Sequence, residues 1–164
     1  MQLFYGVILL GLVVLNISNN TSFDEVCKRI TTPEKIEIWA KHYLQYESDK
    51  KIFGIDHYWQ SYEEMFRLRM GDCEDFATII SEILSRNKYE NWIMVFGNAK
   101  RSHAICVFRY PDSDTWMFFS NYKLYETNTT QLKNIPYYYE GDLEPMWSEI
   151  YYQNENNIIE TFEY

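Results

Sequence analysis

The sequence predicts an α+β domain, and three observations carry the prediction. Apolar residues recur at helical spacing in three segments between residues 32 and 86. Short apolar runs separated by turn residues follow between residues 92 and 122. Helices come first and strands second, and the strands follow one another closely, as in an antiparallel meander. A length of 164 residues suits one domain with a sizeable core.

The first helix starts at Thr32-Pro33-Glu34, where Thr32 can cap, Pro33 suits the first turn and Glu34 favours the positive helix end. Ile36, Trp39, Ala40, Tyr43 and Leu44 give it one apolar face, and the polar run Glu47 to Lys51 ends it. A second helix covers Ser61 to Leu68, with Tyr62, Met65, Phe66 and Arg69 at the same spacing. Met70-Gly71 breaks the chain. A third helix runs from Cys73 to Arg86, and its stripe of Phe76, Ala77, Ile80, Ile83 and Leu84 predicts the most buried of the three. Asn87 to Asn91 is a turn. Strands follow at Trp92 to Phe96, His103 to Tyr110 and Thr115 to Tyr122, the last two joined by the turn-rich Tyr110-Pro111-Asp112-Ser113-Asp114. The tail from Tyr125 carries Tyr137-Tyr138-Tyr139 and Tyr151-Tyr152. It is expected to wrap the core, because exposed tyrosine clusters are sticky.

Composition narrows the function classes. Hydrophobic residues at 46% and charged residues at 24% exclude a disordered chain. Six Gly and four Pro exclude collagen-like and low-complexity classes. A net charge of -9 argues against a nucleic-acid partner, which needs Lys and Arg to displace phosphate counterions.

No charged side chain precedes Asp24, and Leu3 to Leu15 is an apolar run interrupted only by Gly6 and Gly11. As a helix such a run spans about 20 Å, short of the roughly 30 Å hydrocarbon core. Residues 1–22 therefore read as a signal peptide or membrane anchor, with membrane association through residues 3–17, and residues 23–164 as the functional domain. The expectation is an exported protein, secreted or membrane-anchored. The n-region is only Met1-Gln2, without Lys or Arg, and no A-x-A site follows. A helix packed on the domain is the other reading. Asn16-Ile17-Ser18, Asn20-Thr21-Ser22 and Asn128-Thr129-Thr130 match the glycosylation sequon, which matters only in a eukaryotic secretory route.

Three cysteines, Cys27, Cys73 and Cys106, are too few for a disulfide scaffold, and no spacing points to zinc. Cys73 differs from the other two. It follows a glycine break and opens a buried helix, where unpaired N–H groups and the dipole favour thiolate, the nucleophilic form. Gly71 lets the chain approach closely. Asp72, Glu74 and Asp75 oppose a further negative charge, although successive helical residues point about 100° apart and can face elsewhere. Asp72 can cap the helix. The bland alternative is a small residue buried in a helix cap.

His103 begins a strand in which Ile105 and Val107 share its face while Ala104, Cys106 and Phe108 share the other. A polar residue at the start of an apolar strand suits a site at the sheet edge. A nucleophile on a helix N-terminus with a histidine from a later strand is the Cys–His arrangement for acyl transfer. Cys106 reads as core and Cys27 carries no signal. His42 reads as helix surface and His57 as loop.

Together, Tyr58-Trp59-Gln60-Ser61-Tyr62-Glu63-Glu64, Gly71-Asp72-Cys73-Glu74-Asp75-Phe76-Ala77, Ser102-His103-Ala104 and Phe119-Ser120-Asn121 resemble the bacterial transglutaminase-like cysteine proteinases, of the papain-related superfamily. The block Gly71 to Ala77 is the specific part. The resemblance implies a papain-like fold, with helices first and the nucleophile helix packed on an antiparallel sheet. It implies a Cys–His–Asp triad that cuts or exchanges amide bonds in a peptide or protein substrate. Cys73 is then the nucleophile and His103 the base. Gln60, upstream in the matched block, is the side-chain candidate for an oxyanion, beside the Cys73 backbone N–H. The chemistry needs no cofactor, while calcium is implied at Asp72 and Glu74.

The third triad position departs from that family, since Ser120-Asn121 stands where Asp-Asn is expected. If Tyr110 pairs with Thr115, Ser120 lies on the His103 side; a one-residue slip brings Asn121 there instead. Either residue can orient the imidazole, but neither stabilises imidazolium as a carboxylate does. Three readings follow: a cysteine-dependent amide hydrolase, with transfer to an amine as its transglutaminase variant; a weakened or inactive binding module on the same fold; and an acidic calcium-binding surface protein using Asp72, Glu74 and Asp75.

Overall fold

The computed structural model describes residues 17–18, 20–141, 143–151 and 158–164. The apolar run at residues 3–15 lies outside them, so the reading of residues 1–22 concerns a segment largely beyond the description. Among the described residues, no helix is long and apolar enough to cross a membrane.

Among the described residues, five α-helices precede the main sheet: α1 Phe23–Arg29, α2 Pro33–Tyr43, α3 Asp49–Ile52, α4 Tyr62–Leu68 and α5 Cys73–Arg86. The sequence expectation of α2, α4 and α5 holds to within a residue or two. Pro33 starts α2 after Thr32, and Ile36, Trp39 and Ala40 are buried. Ser61 and Glu64 close a reciprocal capping box on α4, with bonds of 3.3 and 3.2 Å. Nine of the fourteen residues of α5 are buried, so it is the most enclosed helix.

Two short helices lie where the sequence reading places none, α1 before the first expected helix and α3 in the polar run expected to end it. In α1, the Ser22 hydroxyl accepts from the Glu25 N–H, acids fill the first turn and bases the last, and Phe23, Val26 and Cys27 go inside. In α3, Asp49 is buried despite its charge. Between the helices, strands β1 Gln45–Tyr46 and β2 Met70–Gly71 form a parallel pair that places the end of α2 beside the entry to α5.

The main sheet contains β3 Glu90–Gly97, β4 Ser102–Arg109, β5 Met117–Ser120, β6 Lys123–Tyr125, β7 Trp147–Tyr151 and β8 Ile158–Glu163. Their order is β6-β5-β4-β3-β7-β8, and every pair is antiparallel. Cys106 faces Phe119 and Val107 faces Phe118, the register that follows from pairing Tyr110 with Thr115. The strand expected over 115–122 is shorter. Asn121 takes a left-handed φ of 50°, and the two-residue turn Asn121-Tyr122 returns the chain into β6.

Alternation sends β4 side chains to two different cores. Ala104, Cys106 and Phe108 pack with Phe76, Ile79, Ile80 and Ile83 of α5. Ile105 and Val107 face the other way, against Met94, Phe96, Phe118, Ile135, Leu143 and Ile150. The tail builds this second layer: a 3₁₀ helix at Leu132–Tyr138 covers the sheet, and β7 and β8 extend it beyond β3. Burial of each such large apolar side chain contributes about 2 kcal/mol, which explains why the tyrosine-rich tail folds back. Tyr137 remains 64% exposed.

Candidate active site

Cys73 is the first residue of α5, directly after β2. Gly71 is required there. A Cβ at that position would meet Asp75 Oδ2 at 2.4 Å and Gln60 Nε2 at 2.8 Å. The backbone can turn into the helix only because nothing projects from residue 71.

The carboxylate of Asp75 organises this entry. Its Oδ1 accepts from the Gln60 backbone N–H at 2.8 Å, and its Oδ2 accepts from Gln60 Nε2 at 2.6 Å and from the Asp72 N–H at 3.0 Å. Gln60 Nε2 also donates to the Met70 carbonyl at 3.0 Å. Both amide hydrogens of Gln60 are thus committed to the fold, a structural use of the residue expected to serve an oxyanion. Asp72 stands at the N-cap of α5, but it is its backbone N–H that is capped, by Asp75.

The Cys73 thiol donates to Glu74 Oε2 at 3.1 Å. Burial pushes the thiol pKa far up, Glu74 adds to that, and the Ala104 backbone N–H against the sulfur opposes it. The thiol is therefore neutral in this arrangement, and the helix-end activation expected from sequence is outweighed. Strand β5 pairs with β4 over Cys106–Phe108, which leaves the start of β4 without a β5 partner.

His103 precedes that amide. Its Nε2 and Ser120 Oγ are hydrogen-bonded at 2.9 Å. The imidazole meets the edge of Phe96 at 5.9 Å and stacks on Tyr139 at 4.7 Å and 30°. Burial lowers its pKa to about 4, with Glu74 pulling the other way. Among the described residues no hydrogen bond joins the thiol to the imidazole. Asn121 lies in the turn with its Oδ1 buried and unpartnered. Asp112 and Asp114 lie beyond the far end of β4, where Asp114 approaches Arg109 at 4.0 Å. All three cysteines are free, and Cys27 and Cys106 are buried.

Two acidic triplets flank the thiol: Asp72 with Cys73 and Glu74, and Asp72 with Asp49 and Asp75, each with its possible ligand atoms within 4.8 Å. Asp49 was not singled out from sequence. It sits in a polar stretch, and only the β1–β2 pairing brings its helix to the site. Its Oδ2 accepts from the Tyr58 N–H at 2.6 Å, while its Oδ1 and the Oδ1 of Asp72 are buried and lack a hydrogen-bond partner. Burial raises all three aspartates, Asp75 to about 6 and Asp72, with help from Glu74, to about 8. The two unpartnered carboxylate oxygens of Asp49 and Asp72 fit a hard cation with oxygen ligands. Two tyrosines also border the thiol. Tyr46 is pushed up to about 12 by burial and then by Cys73. Tyr139 is likewise raised by burial.

Comparison with known proteins adds a family and a fold. Residues 16–118 match the family model described as a transglutaminase-like domain. The structure of Legionella pneumophila LapG aligns with a TM-score of 0.56 at 21% identity, over 91% of this chain and 84% of that one. An EGTA-treated form of LapG gives 0.55 at 19% identity over 93% and 88%, and a calcium-bound form 0.51 at 20% over 88% and 82%. No curated protein sequence matches this chain significantly. At these identities the likeness is one of fold.

Proposed function

Because this chain belongs to the transglutaminase-like domain family, we propose that it is a cysteine-dependent amide hydrolase acting through a Cys73–His103 acyl-enzyme mechanism. One observation carries the reading. Cys73 opens α5, and Ala104, the residue after His103, acts on its sulfur, while Ser120 Oγ is hydrogen-bonded to His103 Nε2 at 2.9 Å. Nδ1 is then the ring nitrogen left to exchange a proton with the thiol.

Both groups are neutral, so the imidazole acts as a general base rather than as half of a preformed ion pair. It takes the thiol proton as sulfur attacks the carbonyl carbon, then delivers that proton to the leaving amine. Water, deprotonated by the same nitrogen, attacks the thioester carbon, the C–S bond breaks to release the acid, and the imidazolium returns the proton to the sulfur. The Cys73 backbone N–H, at the first helical position and without an intrahelical acceptor, is the oxyanion donor. The substrate is a peptide or protein. An amine acceptor in place of water would give transglutamination.

Calcium fits the acids beside the thiol. Asp72 and Glu74 would hold it, with Asp49 and Asp75 completing the neighbouring triplet. When bound, it supplies positive charge that favours the thiolate and offsets the surrounding carboxylates. The apolar N-terminus supports export, with membrane association through residues 3–17 where that segment is retained.

A second reading, a binding module without turnover, is favoured by the hydroxyl of Ser120 in place of a carboxylate. Alkylation of the full chain by iodoacetamide near pH 6, in calcium and in EGTA, tests the first. Cys73 should react faster than a free model thiol when calcium is present. A rate no greater than the free thiol in both conditions removes the hydrolase reading.

A further inference from the structure

The tail adds a residue to the site from beyond the family-matched segment. Tyr139 follows the 3₁₀ helix and lays its ring on the His103 imidazole at 4.7 Å, while Phe96 of β3 meets that same tyrosine at 5.4 Å and 72°. The other side of the tyrosine is backed by Gly141. A Cβ at residue 141 would lie 2.2 Å from Tyr139 Cε1 and 2.5 Å from its hydroxyl. The tyrosine is thus held between Phe96, Gly141 and the imidazole.

We propose that Tyr139 is a positioning residue that clamps the His103 imidazole onto Ser120 and keeps water from that hydrogen bond. The proposal rests on His103 being the base of the reading above. The physical need arises from Ser120. A hydroxyl offers one neutral hydrogen bond and no charge, so it holds the ring less firmly than a carboxylate does. Packing against two aromatic rings restricts the imidazole's rotation where electrostatics cannot. The groups set against the imidazole are Ser120 from β5, Phe96 from β3, Tyr139 from the tail and the charge of Glu74 from α5. Arg101 in the β3–β4 loop acts on Tyr139.

The test is an NMR titration of the His103 Hε1 resonance in the full chain, assigned by its loss in His103→Gln. The native chain should titrate near 4, where burial places it. Tyr139→Ala should raise the midpoint by about one unit or more, toward the roughly 6.5 of a solvated histidine. Tyr139→Phe should titrate as the native chain does, because the ring and not the hydroxyl forms the cover. Gly141→Ala should displace the ring and shift the midpoint in the direction of Tyr139→Ala, and it carries the test if that variant does not fold. Native-like titration in the folded variants, or an equal shift in Tyr139→Phe and Tyr139→Ala, overturns the clamp. Iodoacetamide labelling of the native chain runs alongside. An unreactive Cys73 removes the hydrolase reading and leaves the titration result standing.

Discussion

His103 and Ser120 meet diagonally across β4 and β5, with Nε2 and Oγ 2.9 Å apart. The register sets Cys106 opposite Phe119, so Ser120 shares a face with His103 but lies one pleat along. Diagonal neighbours of this kind are within reach of a long or aromatic side chain. Ser120 thus stands where the sequence resemblance expects a carboxylate, and offers His103 a hydroxyl instead.

Restoring that charge should strengthen the imidazole as a base. Ser120→Asp is expected to raise the His103 pKa by about one to three units, as an adjacent carboxylate does, and to increase turnover or Cys73 alkylation near neutral pH. Ser120→Ala should lower the rate about five- to tenfold through loss of one orienting bond. Histidine NMR and alkylation kinetics check both. No gain in Ser120→Asp would favour the binding-module reading.

Glu74 accepts a hydrogen bond from the thiol and, after burial, raises the thiol pKa. In EGTA, Glu74→Gln should therefore lower that pKa and speed alkylation about tenfold at pH 7. Any acceleration by calcium should shrink in the same variant. Identical rates for the native and variant chains in EGTA would show that the carboxylate does not control the sulfur.

The buried acids give stability a defined pH dependence. Asp72 rises to about 8 and Asp75 to about 6, both above the unfolded value of 3.8. The folded chain therefore binds more protons than the unfolded one between roughly pH 4 and 8, and stability falls as pH rises through that window. His103 has the opposite sign, since its pKa falls to about 4 from 6.5, but its effect is confined below about pH 6.5. In EGTA the melting temperature should be higher at pH 6.5 than at pH 8. Asp72→Asn should flatten the difference. A melting temperature that climbs with pH over this range contradicts the assignment.

Gly71→Ala should destabilise by about 1–3 kcal/mol, the usual cost of overpacking a tight site. The added methyl would meet Asp75 and Gln60 at 2.4 and 2.8 Å, so it disturbs the hydrogen bonds that form the entry to α5. Chemical denaturation measures the loss, and a change below about 0.5 kcal/mol would mean that the entry relaxes freely.

The amphipathic stripe of α5, the break at Gly71 and the alternation along β4 are short-range patterns, and they are legible in the chain. They suffice to put Cys73 on a helix end, His103 at a strand start and Cys106 in the core. The helix at Phe23–Arg29 escapes such reading because its apolar residues are only Phe23, Val26 and Cys27 among four charged ones, although Ser22 and the charge order of its turns mark it in retrospect. The tail is illegible for a different reason. Its strand β7 pairs with β3, some fifty residues earlier, and β8 then pairs with β7, so where the tail joins the sheet has no local signature.

The amino-acid order alone determined the α+β class, the helix that Cys73 opens and the alternation along β4, because propensity, capping and periodicity act over a few residues. Tertiary structure decided that Ser120 and not Asn121 meets the imidazole, that Gln60 serves Asp75, that Asp49 joins the acids, and that Tyr139 covers His103. Those choices depend on where distant segments come to rest, and on burial that reverses the charge preference of the thiol. Only the packed chain fixes them.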